Sequence, residues 1–271
     1  MRRLISVLFF LITAAECYSQ DSSVYKIARD FFKNDQFSDA AFWFGKSIGQ
    51  GYKTADSYRY IGLCELMLGN MDSARSNLFR SYKLDTSDIR IPFQIGNFYL
   101  WNKMHDSAII WINKAISIYD GDGDYFDHRA MAYIEKGLFD KAIQDENKAI
   151  SINAQNGRYY NNRGMARLKQ KKIQEALGDF NMALNIDSSL ENSVTTYINA
   201  SLCNYELHNY QKALYNCRKV LDAYPDDTYA LVVRGQVYYA LKKTADACSD
   251  FKRLYELNAA MGKEYIEKYC R

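Results

Sequence analysis

A spacing of 34 residues governs this chain. Displaced by one period, Gly123–Asn156 lies on Gly157–Leu190, with Arg129 over Arg163, Ala142 over Ala176, Asp145 over Asp179 and Ala149 over Ala183. A fixed period of this length, with two helical patterns per copy, is the mark of a stacked helical array. Anchoring the register on one recurring alanine gives seven repeats: 21–54, 55–88, 89–122, 123–156, 157–190, 194–227 and 228–261. A three-residue insertion, Glu191-Asn192-Ser193, precedes the sixth repeat, and 262–271 remain as a tail.

The repeats share a packing logic. Position 8 holds Ala28, Gly62, Gly96, Ala130, Gly164, Ser201 and Gly235, and position 20 holds Ala40, Ala74, Ala108, Ala142, Ala176, Ala213 and Ala247. Small side chains at one level of two helices let their backbones approach. Position 27 is small in Ser47, Ser81, Ala115, Ala149 and Ala183, but Val220 and Leu254 fill it at the end. Between these points large apolar residues recur at i, i+3, i+4 and i+7, as in amphipathic helices. Leu68-Gly69-Asn70-Met71-Asp72 and Lys136-Gly137-Leu138-Phe139-Asp140 read as the turns between paired helices. Phe37, Met71, Phe139 and Tyr210 follow such turns and are expected to plug their open sides.

With aromatics at position 24 (Phe44, Phe180, Phe251) and Pro225 at position 32, this pattern resembles the tetratricopeptide repeat (TPR) family over essentially all of the chain after residue 20. The resemblance implies an all-α, right-handed superhelical solenoid of about seven helix-turn-helix units, closed by a C-terminal capping helix at 262–271. It also implies a non-catalytic scaffold, with no cofactor, that binds a protein or peptide in a concave groove. The rival is a structural subunit of an envelope complex, held by its convex face or edges. Glu146 and Cys217 depart from the aromatic at position 24, and six repeats lack the proline. Repeats one and six diverge most and are expected to pack less regularly.

Family geometry places repeat positions 2, 5, 6, 9, 12 and 13 on the inner wall. In the first three repeats this selects Tyr25, Arg29, Phe32, Arg59, Tyr60, Phe93, Asn97 and Trp101. In repeats four and five it selects Asp127, His128, Arg158, Asn161 and Asn162; in the last two, Asn199, Tyr205, Tyr229, Gln236 and Tyr239. Amides can bond a partner's backbone while aromatics cover its side chains. The carboxylate clamp of chaperone-binding relatives is incomplete, because Met131, Met165 and Leu202 occupy position 9.

One correlation within the repeats carries a mechanism. Arg129, Arg163 and Arg234 at position 7 accompany Asp145, Asp179 and Asp250 at position 23. Where position 7 is Ile27, Ile61, Ile95 or Ala200, position 23 is Trp43, Asn77, Trp111 or Asn216. Charge occurs on both sides or on neither, so an Arg–Asp pair is expected to join the two helices of a repeat.

The termini and cysteines suggest a compartment. Arg2 and Arg3, the apolar run Leu4–Ala15 and small residues near Ser19 have the layout of a secretory signal peptide over 1–20. An exported chain in the periplasm or cell envelope is expected. Glu16 stands where a lipobox needs Gly or Ala, which argues against a lipid on Cys17. No second long apolar run follows, so the mature chain is expected to lack a transmembrane segment. Cys248 and Cys270 lie eleven residues either side of Ala259. A turn there with an antiparallel tail helix brings the thiols level, so a Cys248–Cys270 bridge is expected. Cys203 and Cys217 fall on the two helices of repeat six, where a bridge is one alternative, but two buried small side chains are expected.

Other chemistry is poorly represented. A formal net charge of +3 with interspersed signs argues against nucleic acid. His105, His128 and His208 fall in different repeats, and no metal-ligand, nucleophile or phosphate-loop motif is present. Asp120-Gly121-Asp122-Gly123-Asp124 imitates half a calcium loop, but Tyr125 and Met131 stand where Gly and Glu are required. Those aspartates are expected to cap the following helix.

Overall fold

The computed structural model describes residues 23–270. The signal-like stretch, Cys17 included, lies outside them. Regular structure among the described residues is entirely α-helical. In chain order the hairpins are α1 (23–33) with α2 (Phe37–Gly49), α3 (Thr54–Met67) with α4 (Met71–Leu84), and α5 (Arg90–Trp101) with α6 (His105–Ile118). Then come α7 (Gly123–Glu135) with α8 (Phe139–Ile152), α9 (Gly157–Lys169) with α10 (Ile173–Ile186), α11 (Leu190–Glu206) with α12 (Tyr210–Ala223), and α13 (Thr228–Ala240) with α14 (Thr244–Leu257). A last helix, α15 (Ala259–Tyr269), closes the chain. Two compact units result, one ending at Asp120 and one beginning at Gly121. In each, a helix packs on its chain neighbours and first helices also meet, α3 on α5 and α7 on α9, as in a helical-repeat solenoid.

The seven position-20 alanines are all fully buried. Each position-8 glycine faces the position-24 side chain of its own hairpin. A Cβ on Gly62 would lie 2.7 Å from Leu78 Cγ, on Gly96 2.6 Å from Ile112 Cγ1, and on Gly235 2.5 Å from Phe251 Cε1. A large residue on one helix therefore occupies the space a missing side chain leaves on the other. Hairpins four and six depart from the pattern: Ala130 is set with Glu146, and Ser201 Oγ with Cys217 Sγ at 2.9 Å. Cys64, Cys203 and Cys217 are buried free thiols, and burial pushes each upward, to about 12 for Cys64 and Cys203 and about 11 for Cys217.

Every hairpin turns the same way. The residue at position 15 has positive φ in all of them: Asp35, Gly69, Lys103, Gly137, Lys171, His208 and Lys242. The following N–H bonds back to the carbonyl five residues earlier, as Lys172 to Arg167 at 3.0 Å and Lys243 to Tyr238 at 2.9 Å. This is the Schellman closure of a helix. Only two of the seven positions hold the glycine that the backbone favours. Phe37, Phe139 and Tyr210 pack beside their turns. Met71 instead is exposed, its Sδ 3.9 Å from Asn102 Nδ2.

Arg–Asp pairs join three hairpins. Arg129 donates to both oxygens of Asp145 at 2.7 and 2.6 Å, and Arg234 to those of Asp250 at 2.9 and 2.7 Å. Arg163 donates to Asp179 at 2.7 Å, and Arg167, which the sequence reading passed over, adds a second guanidinium at 2.7 Å. These carboxylates are buried, so each depends on its guanidinium.

Sequence divergence in repeat six appears in helix length rather than in the turn. The insertion extends α11 to 17 residues, and Ser193 Oγ donates to the Asp187 carbonyl at 2.8 Å. The closing helix starts at Ala259, three residues inside the expected seventh repeat, because Asn258 Oδ1 accepts the Met261 N–H and caps it there. Gly262 permits this docking: a Cβ would stand 2.2 Å from the Tyr255 Cα. Tyr265 and Tyr269 then stack on Phe251 with centroids 5.2 and 5.3 Å away. Cys248 and Cys270 come together with their Cα atoms 5.6 Å apart.

Two measurements check these assignments. Lys103→Gly, Lys171→Gly and Lys242→Gly should each stabilise the fold by about 1 kcal/mol in urea melts, by relieving a left-handed backbone. Arg234→Met should cost about 3 kcal/mol by stranding Asp250, and Arg234→Met with Asp250→Leu should recover most of it.

Candidate functional site

The first unit turns part of its expected groove inward. Tyr25, Arg59 and Tyr60 are only 5%, 4% and 9% exposed. Asp56 gathers the first two: Tyr25 Oη donates to its Oδ2, Arg59 Nε to its Oδ1 at 2.9 Å, and Arg90 Nη2 lies 3.3 Å from the same Oδ1. Burial pushes the Asp56 carboxyl up, but the Tyr25 hydrogen bond and the Arg59 and Arg90 charges outweigh it and hold it below the usual range. The Arg29 and Arg59 guanidiniums lie over the Tyr60 ring at 5.0 and 4.2 Å, and Phe32 meets that ring edge-on at 5.0 Å. This cluster joins α1, α3 and α5, and the burial of Tyr25, Arg59 and Tyr60 corrects the expectation that those three face a partner, while Arg29 and Phe32 are half-buried. Phe93 and Asn97 are half-buried, whereas Trp101 is 61% exposed.

The second unit gathers its candidates into a polar lattice across α7, α9 and α11. Arg158 Nη2 donates to Asp124 Oδ1 at 2.6 Å, and its Nε lies 3.0 Å from Asp127 Oδ2. Asn162 Nδ2 donates to Asp127 Oδ1 at 2.8 Å, and Thr196 Oγ1 to Asn161 Oδ1 at 3.0 Å. Asn199 Nδ2 sits 3.4 Å from Met165 Sδ. Asp122 caps α7 by accepting the Asp124 N–H at 2.9 Å. The Asp124 carboxylate also takes the Tyr159 hydroxyl at 2.7 Å, so two of the three aspartates of the calcium-like stretch, Asp122 and Asp124, have structural bonds. His128 is pushed down to about 4 by burial and the Arg158 charge, so its imidazole is neutral at physiological pH.

Beside this lattice lies a recess of about 650 Å³. Its walls carry the polar side chains of Gln155, Arg158, Asn161, Asn192 and Thr195 over an apolar floor of Met165, Ala183 and Ile186. Two of the three inserted residues, Asn192 and Ser193, line it. Further along, Tyr229 is 66% exposed, Gln236 is half-buried, Tyr205 meets Tyr210 at 6.2 Å and Tyr239 meets Tyr269 at 4.8 Å. The sequence reading missed Asp56, Asp124 and Arg90 as partners. A signal was available: Asp56 and Arg90, like Asp124 and Arg158, are separated by one full period. Among the described residues no group of three or more His, Cys, Asp or Glu is arranged to hold a metal, and no helix is long and apolar enough to cross a membrane.

A tetratricopeptide repeat family model matches residues 25–89 and 204–261, and a second model of that description matches 124–156, together more than half of the chain. No curated protein sequence matches. A chain in the crystal structure of the APC/C hetero-tetramer Cut9-Hcn1 superposes with a TM-score of 0.72 at 15% identity, over 93% of this chain and 46% of that one. This chain thus spans less than half of its length. A tetratricopeptide repeat protein from Parabacteroides merdae gives 0.68 at 16% identity, over 93% of this chain and 100% of that one. YrrB, described as a TPR protein with an unusual peptide-binding site, gives 0.57 at 14% identity, over 70% and 97%. At these identities the likeness is one of fold.

The lattice is open to a double-mutant cycle. Asn161→Ala and Thr196→Val should show a coupling of about 1 kcal/mol in chemical denaturation, and additive effects would remove the bond between α9 and α11.

Proposed function

Because the chain belongs to the tetratricopeptide repeat family, whose repeats mediate protein–protein interaction, we propose that it is a non-catalytic scaffold of the cell envelope holding a peptide or partner helix. The partner lies against the first helices of hairpins five and six, α9 and α11. The observation that carries this is the recess of about 650 Å³, with amide, hydroxyl and guanidinium groups above an apolar floor. Such a lining suits a polypeptide, whose backbone needs hydrogen bonds and whose side chains need an apolar seat. Export is supported by the signal-like start of the sequence and by the proximity of Cys248 to Cys270, since an oxidising compartment lets such thiols pair.

A second reading, a structural subunit held by its outer face, draws on the exposed Phe42, Ile110 and Tyr215, which share repeat position 22 on second helices. A photo-crosslinking residue placed at Gln155 in the recess, or at Ile110 or Tyr215 outside it, separates the two in cells. Crosslinks from Gln155 that Thr195→Trp abolishes are expected; crosslinks from Ile110 or Tyr215 alone would replace the recess with the outer face. Non-reduced digestion and mass spectrometry should recover Cys248 joined to Cys270. Reduction should then lower stability by about 3 kcal/mol, the loop-entropy value for a bridge of this span.

A further inference from the structure

Hairpin four carries a carboxyl where others carry a large apolar side chain. Glu146 takes the position filled by Phe44, Leu78, Ile112, Phe180 and Phe251 in their hairpins. It is 0% exposed, and neither of its oxygens has a hydrogen-bond partner among the described residues. The Asp127 carboxyl on α7, also 0% exposed and with an oxygen of its own, Oδ2, that accepts no hydrogen bond, faces it across the hairpin. Asp127 has its own cation and donor, Arg158 Nε at 3.0 Å and Asn162 Nδ2 at 2.8 Å, both from α9. Two carboxylates in so dry a place cannot both be charged when a single guanidinium among the described residues, Arg158, faces them.

We infer that Glu146 and Asp127 hold a single proton between them at neutral pH, and that this proton locks α7 and α8 to the Arg158 side of the recess. Glu146 carries it and donates to the Asp127 carboxylate, which stays paired with Arg158. The other groups facing the pair are consistent with this. On α7, His128 is neutral, with Nε2 3.9 Å from Asp127 Oδ2, and Arg129 is committed to Asp145. The carboxyls of Asp124, also on α7, and Asp145, on α8, oppose a second charge on the pair. Burial first, and the Asp127 charge second, raise the Glu146 carboxyl well above the usual range. A carboxyl raised on folding makes the folded chain hold a proton that the unfolded chain has lost. Its contribution is therefore intact at acid pH and is lost as pH rises towards the folded value.

The test compares wild type with Glu146→Gln, which mimics the protonated group, and Glu146→Phe, which restores the side chain that hairpin one sets against Ala28. Urea melts are taken from about pH 5 to about pH 9. Relative to Glu146→Gln, the wild-type folding constant should fall by up to about tenfold per pH unit, and Glu146→Phe should follow Glu146→Gln. Parallel profiles for wild type and Glu146→Gln would overturn the inference. Should either variant fail to fold, infrared spectra of wild type labelled with ¹³C-glutamate still decide. One protonated glutamate at neutral pH is expected, and its absence refutes the lock. Neither measurement involves a partner, so failure here is distinct from failure of the recess as a binding site.

Discussion

The close approach of paired helices at repeat positions 8 and 20 is the constraint from which the other features follow. Alanine at position 20 is fully buried in all seven hairpins, and glycine at position 8 accepts the ring or branch from position 24. Once backbones are that near, position 24 lies in a dry interior, and position 7 finds itself opposite position 23. A guanidinium at the first of these then has one reasonable neighbour, and a carboxylate supplies it. The Arg–Asp pairs are thus a consequence of the helix spacing. They specify which helices belong together more than they add to net stability, since burying both charges cancels much of their attraction.

Architecture was legible because it is written seven times. Any one hairpin pattern would be ambiguous, but the recurrence of Ala40, Ala74 and their counterparts fixes register, pairing and turn location together. The Arg–Asp pairs were readable for the same reason: covariation within one chain substitutes for comparison between chains. The turn conformation was less readable. Lys103, Lys171 and Lys242 adopt a glycine-like backbone because the Schellman hydrogen bonds outweigh the steric cost, and side-chain identity does not display that balance.

The site was legible only in part. Positions 2, 5 and 6 do face neighbouring first helices, but facing a neighbour differs from facing solvent. Tyr25 and Arg59 spend their polar groups on Asp56, whereas Asn161 and Thr195 reach a recess. The recess itself escaped sequence reasoning. It depends on where a lengthened helix begins, which periodicity marks as an interruption without giving its shape.

That interruption has a broader implication. Glu191-Asn192-Ser193 adds nearly one helical turn to α11 while leaving the hairpin turns and the later spacing intact. In a lattice of near-identical modules, such a phase slip acts as an address: it distinguishes one location from six otherwise equivalent ones. Evolution could reposition a docking point along this chain by shifting three residues by whole periods, without redesigning any module.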